Sequence, residues 1–315
     1  VSAENLASWA AEPNWREVLI FVAEIRSENL DDLETVMEDL FPSLVEDATF
    51  DASADEPMMP LYAVELAMKL AQDRQLNLPD AIIERWRHRL WFAWATHIRG
   101  RQGLGDGGWS IINDIEDDWP PISIQKVLHE HGSKHPEARY WGLLESQTTM
   151  SQSDLELLVE LLPNLEWLIL ADDNEITDLT PITKLTKLKT LDLYGCPDLS
   201  DLGPLSALTE LSWLRFAGTR SLNDLTPLAK LPKLDWLDFN SCKGLTDVSP
   251  LATLPSLRTL GLAYCREITD VSALFAAPSL KRVEITSCPG IPQDQIDSLL
   301  ALFPDSRMAR RHRPH

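Results

Sequence analysis

Four cysteines stand at positions 196, 242, 265 and 288, separated by 46, 23 and 23 residues. Zinc sites bring thiolates from positions two to four residues apart, so these spacings do not fit one. Five carboxylates, Asp178, Asp201, Asp224, Asp247 and Asp270, recur at the same interval of 23. Stacked acids could take calcium, but a carboxylate ahead of a turn also accepts that turn's backbone N–H groups, and the second reading is preferred. His129, His131 and His135 could gather on a metal, yet no Cys or carboxylate accompanies them at a recognised ligand spacing. The glycine-rich run Gly100–Gly108 lacks the Lys and Ser/Thr of a phosphate loop and reads as a flexible turn. No G-x-S-x-G, H-E-x-x-H or EF-hand loop occurs. No metal and no cofactor is therefore expected. The chain reads as a non-enzyme, with a catalytic site in Gly100–Asp118 as the outlying alternative.

The interval of 23 belongs to a repeat. Six stretches beginning at Leu162, Leu185, Leu208, Leu231, Leu254 and Ala277 align with no residue gained or lost. Each follows L-x-x-L-x-x-L-x-L-x-x-(Cys/Thr/Asp), then Ile or Leu, then usually Asp-Leu-x-Pro-Leu. Examples are LTKLKTLDLYGCPDLSDLGPLSA (185–207) and LPKLDWLDFNSCKGLTDVSPLAT (231–253). A unit this short cannot bury its own apolar face and must stack on its neighbours. The pattern resembles the short leucine-rich repeats of bacterial internalins. That resemblance implies an α/β solenoid, a horseshoe with a parallel concave β-sheet. An all-α helical domain is expected ahead of it. The expected domains are 1–150 (helical), 151–305 (solenoid with helical caps) and 306–315 (a basic, solvated tail). Ser153–Leu162 reads as the helix covering the first open end and Asp294–Phe303 as the closing helix.

Within each coil the period-2 segment predicts a strand. Leu214 and Phe216 point into the core, while Trp213, Arg215 and Ala217 face the concave sheet. The inward column Cys196, Cys242, Cys265 and Cys288 forms a structural ladder, in which a weak S–H donor suffices to reach the adjoining turn. The outward columns are Trp167, Thr190, Trp213, Trp236, Thr259, Arg282; then Ile169, Asp192, Arg215, Asp238, Gly261, Glu284; then Ala171, Tyr194, Ala217, Asn240, Ala263, Thr286, with Tyr264 one position further on. Trp, Tyr and Arg are favoured binding anchors. The candidate partner-binding residues are Trp167, Tyr194, Trp213, Arg215, Trp236, Asp238 and Tyr264. Packing of the same rings within the molecule remains the alternative.

The first half shows helical spacing, for example Trp15, Val18, Leu19, Val22 and Ile25, then Leu61–Leu70 and Ile82–Ile98. Two further helices are expected near Ile122–His131 and Pro136–Leu144. Asn14–Ile25, followed by helical pairs and then repeats, resembles the region after the winged helix in bacterial NACHT-type NTPases related to Nod-like immune receptors. That resemblance implies a sensor region binding a foreign, for example phage-derived, protein, with the NTPase module elsewhere in the same parent chain. Val1 in place of Met fits a piece of a longer chain. The competing reading is a free-standing interaction scaffold.

Net charge is −21, with 12 basic and 27 acidic residues in the first 150. Such a surface repels phosphate backbones, so no nucleic-acid partner is expected. No run approaches the roughly 18–20 apolar residues of a membrane span, and no secretory signal is visible. Unpaired thiols suit a reducing cytoplasm.

Overall fold

The computed structural model describes residues 123–143, 150–170, 175–304 and 306, together with His88 and Ala95. The chain divides into two compact units, Val1–Trp141 and Gly142–His315. The helices expected across 15–98, the loop at 100–121 and the basic tail at 307–313 lie outside the described residues.

In the first unit, helix α1 spans Ile124–His131 and buries Ile124, Val127 and Leu128. Ser123 begins it, its Oγ accepting the Lys126 N–H at 3.4 Å. His131 lies 3.8 Å from Glu130 and His135 3.4 Å from Glu137, so these two histidines face separate carboxylates. No three His, Cys, Asp or Glu side chains gather as a metal would require among the described residues. The helix expected over Pro136–Leu144 is instead strand β1, Tyr140–Leu143. A short apolar run is ambiguous between helix and strand, and aromatic residues such as Tyr140 and Trp141 suit a pleated surface.

The second unit is a solenoid. Gly142 and Leu143, the end of β1, take first place in a seven-stranded sheet ordered as in the chain. The other strands are β2 (Trp167–Leu170), β3 (Thr190–Asp192), β4 (Trp213–Arg215), β5 (Trp236–Asp238), β6 (Thr259–Gly261) and β7 (Arg282–Glu284). From β2 to β7 every pairing is parallel and keeps a register of 23, as in Leu191↔Leu214 and Leu214↔Leu237. Leu168, Leu191, Leu214, Leu237, Leu260 and Val283 form one fully buried row inside. Phe216 and Phe239 pack edge to face in the next row, with ring centroids 6.4 Å apart.

Opposite the sheet each coil closes with a five-residue 3-10 helix: Thr180–Lys184, Gly203–Ala207, Thr226–Lys230, Ser249–Thr253 and Ser272–Ala276. The Asp column sits two residues ahead of each. Its carboxylates accept the N–H of Thr180, Gly203, Thr226, Ser249 and Ser272 at 2.7–2.8 Å. Pro181, Pro204, Pro227 and Pro250 preset φ in the first turn of four of these helices. Each acid therefore caps its own turn.

Helices α2 (Gln152–Leu161) and α3 (Gln293–Leu302) flank the array. The N-cap of α2 is Ser151 rather than Ser153. Asp154 stands three residues after Ser151 and returns its bond, Ser151 N–H to Asp154 Oδ2 at 2.9 Å, which completes a capping box. With β1 ahead of it, α2 is the outer layer of an additional irregular coil. Gln152 ties it to the first Asp turn, accepting the Asp178 N–H at 3.2 Å and donating to the Asp178 carbonyl at 2.9 Å. At the far end Gln295 accepts the Val271 N–H at 2.7 Å. On the last strand, Ser306 Oγ accepts the Val283 N–H at 2.9 Å. No helix among the described residues is long and apolar enough to cross a membrane.

Candidate functional site

The parallel register places outward residues of adjacent coils side by side. Trp213 of β4 stands opposite Trp236 of β5. Their ring centroids are 4.3 Å apart and their planes differ by 2°. That stack is expected to contribute about 0.5–1.5 kcal/mol beyond the area it buries. Both rings remain half-buried, so the stack presents an apolar edge to solvent.

One column along, Arg215 lies between two carboxylates. Its Nη1 is 3.3 Å from Asp192 Oδ2, and its Nε is 3.9 Å from Asp238 Oδ2. The guanidinium carbon also sits 4.3 Å from the centroid of the Tyr194 ring. Each acid is anchored by its own strand: Asp192 Oδ1 accepts the Tyr194 N–H at 3.0 Å, and Asp238 Oδ1 accepts the Asn240 N–H at 2.8 Å. Burial raises the Asp238 carboxyl above its ordinary value, opposed by the Asn240 N–H and then by Arg215. A Cβ at Gly261 would lie 2.8 Å from Asp238 Oδ1, so a larger residue there would displace that carboxylate.

Tyr194, Trp213, Arg215, Trp236 and Asp238 thus come together across β3 to β5. Trp167, on β2, is separated from the stack by β3, where Thr190 intervenes. Thr190 is only 9% exposed, so the expectation of an open position there is corrected. It lies beside Trp213 in the register. Ala217 and Ala263 are also buried rather than displayed.

Tyr264 needs a second correction. It lies beyond β6 in the turn, not on the sheet face, with φ of 64° and 51% exposure. Gly195, Gly218, Ser241 and Ser287 occupy the equivalent place in other coils, all with positive φ. The glycines at 195 and 218 were the available sequence signal. Asp192 stands outside the candidate set, although its place 23 residues before Arg215 puts the two side by side.

The cysteines lie inside, where the ladder places them, and none of the four forms a disulfide. The thiols of Cys242, Cys265 and Cys288 donate to the carbonyls of Phe216, Phe239 and Leu262 at 3.0–3.1 Å. Cys196 reaches the Leu170 carbonyl at 3.9 Å. Thr219 fills the column in the third coil and meets Cys242 Sγ at 3.2 Å. Burial pushes the Cys242 thiol up to about 11 and raises Cys265 and Cys288 as well.

Residues 163–207 match the family described as Leucine Rich repeats, in two copies. The coils over 163–207 are leucine-rich repeats. Among solved structures, an internalin (inlF) of Listeria monocytogenes is 26% identical over 56% of this chain and 57% of its own, with a TM-score of 0.44. An internalin C2 of the same organism is 27% identical over 51% and 76%, at 0.39. A leucine-rich-repeat protein of Leptospira interrogans is 19% identical over 56% and 50%, at 0.44. The chain therefore spans little more than half of the first of these. No curated protein matches it.

Proposed function

We propose that the leucine-rich-repeat sheet face around Trp213, Arg215 and Trp236 binds a protein partner, and that the chain acts by recognition rather than catalysis. The observation that carries this is the half-buried Trp213–Trp236 stack beside an arginine held by Asp192 and Asp238. Preorganised aromatic and guanidinium groups lose little freedom on binding, which is what makes such residues anchors. A buried Trp anchor typically contributes about 2 kcal/mol or more. Trp236→Ala is therefore expected to weaken partner capture at least tenfold while leaving folding intact. Lys230→Ala, on the opposite layer, is expected to do neither. Normal capture by a folded Trp236→Ala protein would move the recognition surface elsewhere, and an unfolded variant would make the ring structural packing.

Four cysteines without a disulfide support a reducing, cytoplasmic setting. The free-standing interaction scaffold is favoured over the narrower reading, a sensor region of a NACHT-type NTPase. The narrower reading rests on Asn14–Ile25, which lies outside the described residues. An in-frame G-x-x-x-x-G-K-[ST] upstream of Val1 in the parent gene would reverse that preference, and a Met codon directly before Val1 would uphold it.

A further inference from the structure

We propose that the loop edge of coils three to five, where Arg220, Lys243 and Arg266 stand in register beside Tyr264, binds a short acidic segment of a partner protein. This surface lies beyond the sheet face around the Trp213–Trp236 stack and stands independently of it.

The column that holds the cysteines fixes which side chains of these loops look outward. Thr219, Cys242 and Cys265 are fully buried, so the chain turns inward at each of them and outward just after. The positions that follow are Pro197, Arg220, Lys243, Arg266 and Pro289, one per coil at intervals of 23. All three cations are exposed. The loops beneath them are held from inside, by Cys242 and Cys265 on the Phe216 and Phe239 carbonyls. The Lys243 N–H also donates to the Thr219 carbonyl at 3.0 Å. Adjacent coils lie one strand spacing apart, so the three cations fall on a line about 10 Å long.

Elsewhere in the array neighbouring coils match opposite charges at the same interval, Lys189 with Glu166 at 2.7 Å and Lys233 with Glu210 at 2.6 Å. Here three like charges are stacked instead, an arrangement that costs stability. None of the three forms an ion pair among the described residues. The acids four residues further on, Asp224, Asp247 and Asp270, are engaged by their own turns, accepting the N–H of Thr226, Ser249 and Ser272. Glu267 follows Arg266 but is exposed and forms no ion pair with it. An acidic ligand supplies the missing countercharge and turns the repulsion into attraction.

Tyr264 is the second observation. Gly195, Gly218, Ser241 and Ser287 fill its place in other coils, all small and all at positive φ. Tyr264 keeps a φ of 64°, which bulky residues rarely adopt, and leaves 51% of its surface exposed. Cys265 between it and Arg266 is buried, so ring and guanidinium look out of the same loop. A strained, exposed aromatic beside unmatched cations offers a partner apolar contact and charge together. The ladder is also short, because Pro197 and Pro289 end it on either side. A line of about 10 Å fits two or three carboxylates of an extended peptide. A nucleic-acid strand carries its charge far past that line, over a chain of net charge −21 that repels it.

The test is selection of a random twelve-residue displayed peptide library on the full chain, with the lead peptide then titrated against variants. Enriched peptides should share two or more Asp or Glu close to an aromatic or apolar residue. The lead should bind the triple variant Arg220→Gln, Lys243→Gln, Arg266→Gln at least about tenfold more weakly, and Tyr264→Ser at least about threefold. Arg220→Lys with Arg266→Lys, which keeps the charge, should bind the lead nearly as well as the wild type. The urea midpoint of the triple variant should equal or exceed that of the wild type, because its three side chains are exposed and repel one another. Trp236→Ala should leave the lead's affinity unchanged, which separates this surface from the sheet face. Enrichment without shared acids, or equal binding to the triple variant, would overturn the proposal. A lead lost with Trp236→Ala but not with the triple variant would also overturn it, while upholding the sheet face alone. A twelve-nucleotide oligouridine that binds more tightly than the lead and is lost in the triple variant would overturn the acidic protein segment in favour of nucleic acid.

Discussion

At the scale of single residues, the inward and outward positions of one coil obey different rules. Leu214 is fully buried, so Leu214→Ala is expected to cost about 2–5 kcal/mol in a denaturant titration. Thr190 looks outward yet is covered, and Thr190→Ala should cost about 1 kcal/mol rather than behave as a surface change. The thiol column adds a chemical check. Because burial holds Cys242 near 11, the native protein should react little with a thiol reagent at pH 8. Denaturation without reductant should release all four thiols, and fewer would mean a disulfide. Cys242→Thr should be milder than Cys242→Ala, because a hydroxyl still reaches the Phe216 carbonyl, as Thr219 shows the column tolerates. Tyr264→Gly tests the left-handed turn. Relief of about 1–2 kcal/mol of backbone strain exceeds the entropy that glycine costs, so stability should hold or rise by up to about 1 kcal/mol. Loss of partner binding in the same variant would show why the tyrosine is kept.

At the scale of elements, the Asp-capped 3-10 helices give the protein a pH dependence of known sign. The Thr180 and Thr226 side chains, then their backbone N–H groups, hold Asp178 and Asp224 below the ordinary carboxylate range. Asp270 is lowered by the Ser272 backbone N–H and then its hydroxyl. A carboxylate lowered on folding contributes stability that is present above its unfolded value of 3.8 and lost as pH falls through the folded one. Asp238 runs the other way. Burial raises it, so its contribution is present below 3.8 and is lost as pH rises through the folded value. Urea midpoints of the wild type and of an Asp178→Ala, Asp224→Ala, Asp270→Ala variant should therefore differ at pH 7 and converge toward pH 3. A constant gap would mean that the caps act through shape rather than charge. These turns were legible from the recurring Asp and Pro. Strand β1 was not, because its few apolar residues carry no period that separates helix from strand, and pairing with the sheet decided it.

At the scale of the whole molecule, a solenoid is held by contacts between neighbouring coils, so length matters only in units of the repeat. Deleting residues 185–207, one complete coil, should leave a cooperatively folding protein with a lower midpoint. Deleting residues 185–206, one residue short, should fail. It would turn every inward side chain of the joined strand to the other face. Thermal unfolding followed by circular dichroism distinguishes the two, and equal behaviour would contradict the register of 23 seen in every pairing from β2 to β7.

The period of 23 and the apolar columns by themselves determined the solenoid, the order of its strands, the inward cysteines and the outward Trp, Arg and Asp columns. Stacking identical units leaves a side chain only two faces and one pair of neighbours, so spacing alone determines adjacency. The tertiary structure decided what spacing does not contain. It set the parallel geometry of Trp213 on Trp236, the preference of Arg215 for Asp192 over Asp238, and the cover over Thr190. It also turned Tyr264 off the sheet, because the left-handed turn that ends each strand redirects the chain one residue before the cysteine column. Those outcomes depend on distances of an ångström and on backbone torsions, which depend on packing across coils rather than on the order of residues within one.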